Sequence, residues 1–249
     1  MVHIIQFFPT VRETFMTFSS RTVIITGGTG ALGSVAARRF AALGANLAIP
    51  SHSPQTLTSL AVRIGVDAGR LVSGMTDLTN EHEVQAFVQN VVGRFGRVDV
   101  LVNAAGGYAG GKMTEESSAD DLQQLFSLNA LSAFNMCSAV LPDMKKARYG
   151  RIVNVAAMSA INAQPGSGAY AISKSAVITL TETIAAENRG KGITANAVAP
   201  GTILTESNKA AMPSADHSKW VTPDQIAEVL LFLASEESGA VSGNLIKIP

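Results

Sequence analysis

The sequence predicts a doubly wound α/β domain, in which a central parallel sheet of about seven strands carries helices on both faces. Short apolar runs alternate with amphipathic segments of ten or more residues, as is typical of strands joined by helical crossovers. Residues 22–33 join an apolar run, a glycine cluster and a helical pattern in that order. The sequence has no internal repeat, linker or low-complexity segment, so we expect one domain over residues 21–249.

The first half of the chain contains four predicted strands. The apolar run at residues 23–25 is continuous, as expected for a strand that is buried on both faces. Further strands are predicted at residues 46–49, 70–75 and 98–103, and helices at residues 34–43, 57–64 and 81–95. The last of these helices is the clearest, because its apolar residues recur at three- and four-residue intervals.

The second half of the chain contains three further predicted strands between longer helices. The strands are predicted at residues 151–155, 193–198 and 244–248, and the helices at residues 122–141 and 170–189. Thr222 is a typical N-capping residue, and Pro223 follows it in the first turn. Together they predict a helix that runs to Ala234. These elements bring the parallel sheet to seven strands.

The glycine cluster after the first strand predicts a phosphate-binding corner. Glycines let the backbone approach a pyrophosphate, and the following helix offers free N–H groups and a favourable dipole. An ordinary strand-to-helix turn has the same glycines, so the nucleotide interpretation depends on motifs further along the chain. Taken with those motifs, the corner predicts a dinucleotide fold of the Rossmann type.

The composition excludes several classes of function. Nineteen basic and nineteen acidic residues balance, which argues against nucleic acid and against an anionic membrane surface as partners. The single Cys137 cannot form an internal disulfide, and we expect a reducing, cytoplasmic location. The four histidines, His3, His52, His82 and His217, lack the spacing of metal ligands, so no metal site is predicted.

Two stretches without charged side chains, residues 122–142 and 152–173, could be mistaken for membrane spans. Asparagine, glutamine, proline and glycine interrupt both of them, whereas a membrane helix is more uniformly apolar. We interpret both stretches as buried core and expect no membrane partner.

Residues 1–20 are predicted to lie outside the core fold. Their apolar residues recur at helical spacing, although Pro9 interrupts the pattern or begins a helix. A basic n-region and a small-residue cleavage site are missing, which argues against a signal peptide. Two interpretations stay open: translation begins at Met16, or the segment is an apolar arm that packs on a neighbouring subunit.

An ordered set of motifs extends from about residue 21 to residue 248. The set comprises residues 26–33, Asp77, residues 96–106, Asn129, residues 150–155, residues 170–174 and residues 196–201. In order and spacing it resembles the classical short-chain dehydrogenase/reductase family, and generically its 3-oxoacyl-[acyl-carrier-protein] reductase-like members. The resemblance implies an oxidoreductase that transfers hydride between a nicotinamide cofactor and a small carbonyl or alcohol substrate.

Tyr170 and Lys174 form the predicted catalytic pair. Four residues apart on a helix, their side chains lie on one face, where an ammonium would lower the phenol pKa from its reference value of about 10. Such a phenol can act as a general acid/base near neutral pH. The resemblance implies that Tyr170 exchanges a proton with the substrate oxygen, that Lys174 also holds the nicotinamide ribose, and that Asn129 supports a water relay. A buried amide satisfied by backbone is an equally open interpretation of Asn129.

The resemblance also implies a set of cofactor-binding positions. They are Gly27, Thr29, Gly30, Leu32, Gly33, Ser51, His52, Asp77, Leu78, Asn103, Ala104, Gly106, Pro200, Gly201, Ile203 and Thr205, together with Tyr170 and Lys174. NAD-specific folds place a carboxylate about 20 residues beyond the glycines. This chain has Ser51, His52 and Ser53 there, with neither a carboxylate nor an arginine or lysine. The two serine hydroxyls and the imidazole could donate hydrogen bonds to a 2′-phosphate, so we favour NADP(H) over NAD(H).

Three features depart from the family pattern. Ala157 lies thirteen residues before Tyr170, where most members have a serine that donates to the substrate oxygen; losing such a donor costs about 2.7–4 kcal/mol of transition-state stabilisation in a protease. Ser159 is a possible substitute, because in extended backbone it would face the same side as Ala157, and Ser167 is a weaker one. Ala31 replaces the middle glycine of the corner, and residues 202–220 are short for a substrate lid.

These departures leave two alternatives to a carbonyl reductase. Dihydropteridine reductases, a branch of the same superfamily, also lack the serine, which makes a pteridine-type reductase one alternative. A catalytically weakened protein that binds nucleotide and regulates a partner is the other. The family usually forms tetramers or dimers through its two long helices, here residues 122–141 and 170–189, so we expect a homotetramer or homodimer.

Overall fold

A seven-stranded parallel sheet forms the centre of the computed structural model, which describes residues 16–54 and 60–249. The strands are β1 (Thr22–Thr26), β2 (Asn46–Ser51), β3 (Leu71–Met75), β4 (Val100–Asn103), β5 (Gly150–Val155), β6 (Ile193–Pro200) and β7 (Leu245–Ile248). Their order across the sheet is β3-β2-β1-β4-β5-β6-β7. The chain reverses direction across the sheet between β3 and β4, so the carboxyl ends of β1 and β4 flank the crevice where doubly wound folds bind ligands.

Helices cover both faces of the sheet. They are α1 (Ala31–Ala42), α2 (Leu60–Ile64), α3 (Glu81–Phe95), α4 (Ala119–Ala147), α5 (Gly168–Glu187), α6 (Glu206–Ala211) and α7 (Pro223–Ala234). Alternate residues of one strand serve the two layers: Val23 and Ile25 pack in the core with α1, α2 and α7, while Ile24 packs with α3, α4 and α5. Burial on both faces explains the continuous apolar runs of the strands.

The predicted α/β fold is confirmed, with differences at the ends of elements. β6 extends two residues past Val198 to Pro200, and the six-residue helix α6 was not predicted. α4 is longer than residues 122–141, because Ser118 and Asp121 form a capping box at its start. It also continues through Pro142, where the buried side chain of Met144 holds the last turns against the core.

The structure modifies the boundary that was predicted after residue 20. Phe18 is buried and meets the ring of Phe40 edge-on, with centroids 4.8 Å apart, and its N–H donates to the carbonyl of Leu43 at 2.8 Å. The packed core therefore includes residues upstream of Arg21. The predictions for residues 1–15, and for residues 57–59 of the second helix, fall on positions outside the described residues.

The helix α4 is long and apolar enough to cross a membrane by length and composition alone. Half of its most apolar window is buried inside the protein, because the helix packs against the sheet and α5. The other uncharged stretch, residues 152–173, divides into the end of β5, a turn and the start of α5. The packing of α4 agrees with the interpretation of the first stretch as core. In the second stretch residues 152–157 are buried, but residues 161–165 are exposed, so the interpretation as core is wrong for that part.

Candidate active site

A cavity of about 660 Å³ opens where the carboxyl ends of β4, β5 and β6 meet. Several predicted residues line it together: Leu32, Ala104, Gly106, Ala157, Ser159, Tyr170, Lys174, Pro200, Gly201 and Ile203. Tyr108, Asn162, Gln164, Asn208 and Met212 also line it, although the sequence had not singled them out. The fold therefore gathers Leu32 of the glycine corner, the predicted catalytic pair and the lid segment around one cavity. Gly27, Thr29, Gly30 and Gly33 are not among the lining residues.

The glycine corner allows backbone segments to approach closely. Gly27 has φ +67°, and a Cβ on it would lie 2.8 Å from the backbone of Ala104; a Cβ on Gly33 would overlap the carbonyl oxygen of Gly27. Gly30 precedes α1, whose first turn has neither a side-chain cap nor an acidic residue in the described part of the chain. The N-terminal N–H groups and the helix dipole are therefore available to an anion, which fits the pyrophosphate of a dinucleotide.

Buried amides fix the end of β4 against its neighbours. Asn103 Nδ2 donates to Asn154 Oδ1 at 2.9 Å, and Asn154 Nδ2 donates to the Thr181 hydroxyl at 2.8 Å. The Thr26 hydroxyl donates to Asn103 Oδ1 at 3.4 Å. Asn103 is thus committed to holding strands β1, β4 and β5 in register. Burial raises the pKa of the neighbouring Cys137 thiol to about 12, so this cysteine is inert.

Asn129 holds the loop that follows β4. It lies in a single wide turn of π type, Ser127–Leu131, inside α4. Its Oδ1 accepts from the N–H of Gly107 at 3.0 Å, and its Nδ2 donates to the carbonyl of Gly107 at 3.0 Å and to the Ser173 hydroxyl at 3.1 Å. A π turn redirects a side chain relative to an α-helix, and such turns are frequent at functional sites. Asn129 thereby ties the loop to α5, the helix that carries Tyr170.

Lys174 is buried at the base of the cavity, with only 5% of its surface exposed. Its Nζ donates to the carbonyl of Val155 at 2.8 Å. A Cβ on Gly106 would lie 3.1 Å from this nitrogen, so the glycine makes room for the amine beside the loop. Burial lowers the pKa of Lys174 to about 8, which brings the amine within range of proton exchange near neutral pH.

Tyr170 lines the cavity one helical turn before Lys174. Burial, followed by the charge of Tyr108, raises the pKa of the Tyr170 phenol to about 12. The expectation that Lys174 lowers this pKa is therefore wrong for the structure as it stands, because the amine is directed to the Val155 carbonyl. The phenol is neutral at physiological pH and can act as a proton donor.

Tyr108 is a site residue that sequence reasoning missed and that contacts the predicted proton donor. Its side chain is 68% exposed, yet its ring meets Tyr170 edge-on, with centroids 4.9 Å apart and planes at 85°. Glycines at positions 106, 107, 110 and 111 flank it in the loop after β4. One sequence signal could have revealed Tyr108: it is an aromatic residue in a glycine-rich loop, and that loop directly follows a strand that ends at the crevice of the sheet.

Ala157 and Ser159 both line the cavity, but their relation differs from the prediction. Residues Met158–Ala160 form a 3-10 turn, so the alternation of an extended chain does not apply to Ser159. The Ser159 hydroxyl is shielded from solvent and has no hydrogen-bond partner among residues 16–54 and 60–249. Ser167 is engaged locally, since its hydroxyl donates to the carbonyl of Gln164 at 2.6 Å.

The predicted adenosine-side residues lie at the carboxyl ends of β2 and β3. Ser51 is buried and His52 is exposed. Asp77 accepts bonds from the hydroxyl and N–H of Thr79, which lower its pKa, with a smaller contribution from the charge of His52. The carbonyl of Leu78 accepts from Asn135 Nδ2 at 2.9 Å. These hydrogen bonds fix the positions of Asp77 and Leu78 at the carboxyl end of β3.

The segment after β6 closes the opposite side of the cavity. Thr205 caps α6, since its hydroxyl accepts the N–H of Asn208 at 3.1 Å, and this use differs from the predicted cofactor contact. Ile203 pairs with Val221 through an isolated bridge. The short lid of the sequence therefore consists of α6 and a 3-10 turn at His217–Lys219, and the Ile203–Val221 bridge joins its two ends. Within the described residues, no group of three His, Cys, Asp or Glu side chains is arranged to hold a metal ion.

Fold and site define a nicotinamide-dependent oxidoreductase class, and comparison with known proteins gives the family. The chain belongs to the short chain dehydrogenase family, whose model matches residues 21–216. It is 33% identical to the 3-oxoacyl-[acyl-carrier-protein] reductase FabG of Thermotoga maritima, over 94% of this chain and 98% of the relative. The protein is thus an oxidoreductase acting on hydroxyl or carbonyl groups, in a family that uses NAD(P)(H).

Solved structures show the same fold with either cofactor. ElxO with bound NADP matches with a TM-score of 0.86 and 29% identity, covering 92% of this chain and 96% of that one. NAD+-bound xylitol dehydrogenase matches with a TM-score of 0.84 and 28% identity, covering 93% and 98%. Similarity at this level defines the fold and the reaction class, and it leaves substrate and cofactor preference to be argued from the site.

Proposed function

We propose that the protein reduces a small carbonyl compound with NADPH and that Tyr170 donates the proton. One observation carries the proposal: a phenol with a pKa raised to about 12 lines the cavity shared by the glycine corner and the lid. Such a phenol keeps its proton at neutral pH. It can donate that proton to a carbonyl oxygen that gains negative charge, which is the state that reduction requires.

The residues of this chain would divide the work of binding and proton transfer. A bound nicotinamide would supply the hydride that reaches the carbonyl carbon. The N-terminus of α1, which has no side-chain cap, and the backbone of the glycine corner would hold the pyrophosphate. Lys174, held by the Val155 carbonyl, would face the nicotinamide ribose and return a proton to Tyr170, which its lowered pKa of about 8 permits near neutral pH. Asn129 would keep the loop carrying Tyr108 against the helix carrying Tyr170.

We propose that Ala157 replaces a donor that most relatives possess. The side chain of Ala157 is apolar and lines the cavity, while the Ser159 hydroxyl is shielded from solvent. One donor to the substrate oxygen would then be missing, which lowers the rate without abolishing proton donation by Tyr170. Ser159 could substitute only if the turn Met158–Ala160 rotates its hydroxyl toward the cavity.

NADP(H) is the proposed cofactor in preference to NAD(H). The end of β2 carries Ser51, His52 and Ser53 where NAD-specific folds have a carboxylate, so a 2′-phosphate meets no acidic residue at that position. Ala31 at the glycine corner is expected to adjust the approach of the pyrophosphate and not to prevent it.

A pteridine-type reductase is the second candidate, and Tyr108 favours it. The exposed ring at the cavity wall offers an aromatic contact to a flat heterocycle, and a quinonoid substrate that is protonated on nitrogen does not need the hydroxyl missing at Ala157. A weakened regulatory nucleotide-binding protein is supported only by Ala31 and Ala157. Tyr170 and Lys174 line one cavity, and Asn129 ties the loop at Gly107 to the helix that carries them; both observations argue against it.

A homodimer or homotetramer in the cytoplasm completes the proposal. Phe126, Leu128 and Phe134 on α4, and Ile172 on α5, are large apolar side chains that are 42–53% exposed. Burying them against a second copy would remove apolar surface from water. The single buried Cys137 suits a reducing compartment. Residues 21–249, together with the buried Phe18, would form the catalytic domain.

Turnover of NADPH with a panel of ketones and quinonoid compounds tests the proposed function. Oxidation of NADPH by ketones is the expected result. Turnover of quinonoid compounds alone would favour the pteridine-type reductase, and binding of NADPH without any turnover would favour the regulatory protein. Failure to bind either nicotinamide cofactor would contradict the enzyme proposal as a whole.

A further inference from the structure

Arg63 reaches from α2 to the glycine corner. Its Nη2 donates to the carbonyl of Thr29 at 3.2 Å, across 34 residues of chain. Thr29 lies between Gly27 and Gly30, in the turn that would receive the cofactor's phosphates. Residues 51–53 at the end of β2 include no arginine or lysine. Arg63 therefore supplies to the glycine corner the positive charge that residues 51–53 lack.

The charge of Arg63 is not neutralised by an acidic partner within the described part of the chain. The ion pairs seen there engage Arg21, Arg39 and Arg97 with carboxylates, but they do not include Arg63. Guanidinium carries five N–H donors, and the bond to Thr29 uses one nitrogen, so the remaining donors can bind a phosphate. Asp77, exposed beyond β3, interacts with His52, and Glu83 Oε2 accepts the N–H of Asp77 at 2.8 Å, so two carboxylates lie on the β2–β3 side of the crevice.

We propose that Arg63 binds the 2′-phosphate of NADPH and is the residue that sets the preference for NADPH over NADH. The proposal rests on the proposed cofactor-dependent function and names the residue behind its specificity. An arginine fork beside a phosphate forms charge-assisted hydrogen bonds that a ribose 2′-hydroxyl cannot match. The hydrogen bond to the carbonyl of Thr29 keeps the Arg63 side chain at the glycine corner before the cofactor binds.

Calorimetric titration with NADPH and with NADH tests this role without requiring a substrate. Arg63→Ala is expected to weaken NADPH binding about tenfold while NADH binding changes less than about twofold. Arg38→Ala is the matched control, because Arg38 is also exposed and without an ion pair in the described chain, but it lies on α1 away from Thr29. It should leave both affinities unchanged. Arg63→Lys keeps the charge without the fork and should fall between wild type and Arg63→Ala.

Competition by small adenosine ligands separates the 2′-phosphate from the rest of the cofactor. Adenosine 2′,5′-bisphosphate should displace NADPH from wild type more effectively than adenosine 5′-monophosphate does, and Arg63→Ala should remove that advantage. Thermal unfolding of each variant checks that the fold is retained.

Two results would overturn the assignment of Arg63 while leaving the proposed reductase intact. One is equal loss of NADPH and NADH affinity in Arg63→Ala, and the other is unchanged NADPH affinity in a folded variant. Tighter binding of NADH than of NADPH by wild type would overturn it as well. Binding of neither cofactor by wild type would contradict the proposed function itself and the role of Arg63 with it.

Discussion

The ring of Tyr108 meets the ring of Tyr170 edge-on, with their centroids 4.9 Å apart. This contact joins the loop after β4 to the helix that carries the proposed proton donor. Asn129 holds the same two elements together through Gly107 and Ser173. The pKa of Tyr170 therefore depends on a loop whose position is set by one buried amide.

Removing the Tyr108 hydroxyl is expected to lower the pKa of Tyr170, because the charge of Tyr108 is the second cause of its elevation. Tyr108→Phe keeps the edge-on ring and should shift the alkaline limb of the pH profile of kcat for reduction to lower pH. Tyr108→Ala should also raise KM if the ring contacts substrate. An alkaline limb that stays in place in Tyr108→Phe would show that the second phenol does not influence the first.

Lys174 makes a pH-dependent contribution to stability whose sign is fixed by its burial. Its pKa is about 8 in the folded state and about 10.4 in the unfolded chain, so between these values the unfolded state binds more protons. The free energy of unfolding contributed by Lys174 therefore rises with pH through this window and is lowest below pH 8. Relative to Lys174→Met, wild type should gain about 1 kcal/mol between about pH 7.5 and 9.

Denaturant titrations of wild type and Lys174→Met across this pH range measure that gain. Cys137 and Tyr170, whose raised pKa values give the opposite slope at higher pH, are present in both proteins and cancel in the difference. A difference in unfolding free energy that is flat or falls with pH would contradict a buried amine with a lowered pKa.

Restoring a hydroxyl at position 157 should increase activity if the cavity otherwise suits a carbonyl substrate. Ala157→Ser would place a donor on the wall that Tyr170 also lines. A contribution of about 2.7–4 kcal/mol predicts a rise of about 10²- to 10³-fold in kcat for ketones. The matched variant Ser159→Ala should change the rate little, because the Ser159 hydroxyl is shielded from solvent and makes no hydrogen bond within the described residues. A strong loss in Ser159→Ala, with no gain in Ala157→Ser, would show that Ser159 is the working donor.

The exposed apolar side chains of α4 predict how the oligomer responds to charge. Phe134 is 53% exposed, and Phe134→Glu should shift the protein to a smaller species, because a buried, unpaired carboxylate is costly at an interface. Light scattering after size-exclusion chromatography measures the mass. Val62→Glu is the control, since Val62 is 86% exposed on α2, outside α4 and α5. An unchanged mass in Phe134→Glu would exclude this face as the interface.

The sequence was sufficient for the sheet because its strands are buried on both faces and therefore read as continuous apolar runs. Val23, Ile24 and Ile25 are fully buried, and no outward polar residue blurs the pattern. Helix ends were harder to predict. The local cap at Ser118 extends α4 at its start, and the buried Met144 holds it together past Pro142.

The site was predictable where it follows from helical spacing and motif order, and not where it depends on tertiary placement. Tyr170 and Lys174 lie around one cavity as expected, but the direction of the lysine amine follows from the Val155 carbonyl, which no sequence pattern indicates. Tyr108 and Arg63 reach the site through contacts with residues 62 and 34 positions away in the chain. Such contacts become visible only in the folded protein.

The proton-donor role of Tyr170 is tested most directly by Tyr170→Phe, measured for NADPH binding and for NADPH oxidation with the best ketone of the panel. The phenyl ring preserves the packing against Tyr108 but has no proton to donate. We predict an NADPH affinity within about twofold of wild type and a loss of at least about a hundredfold in kcat, in the range of general acid catalysis. Full turnover by Tyr170→Phe with intact NADPH binding would contradict the mechanism.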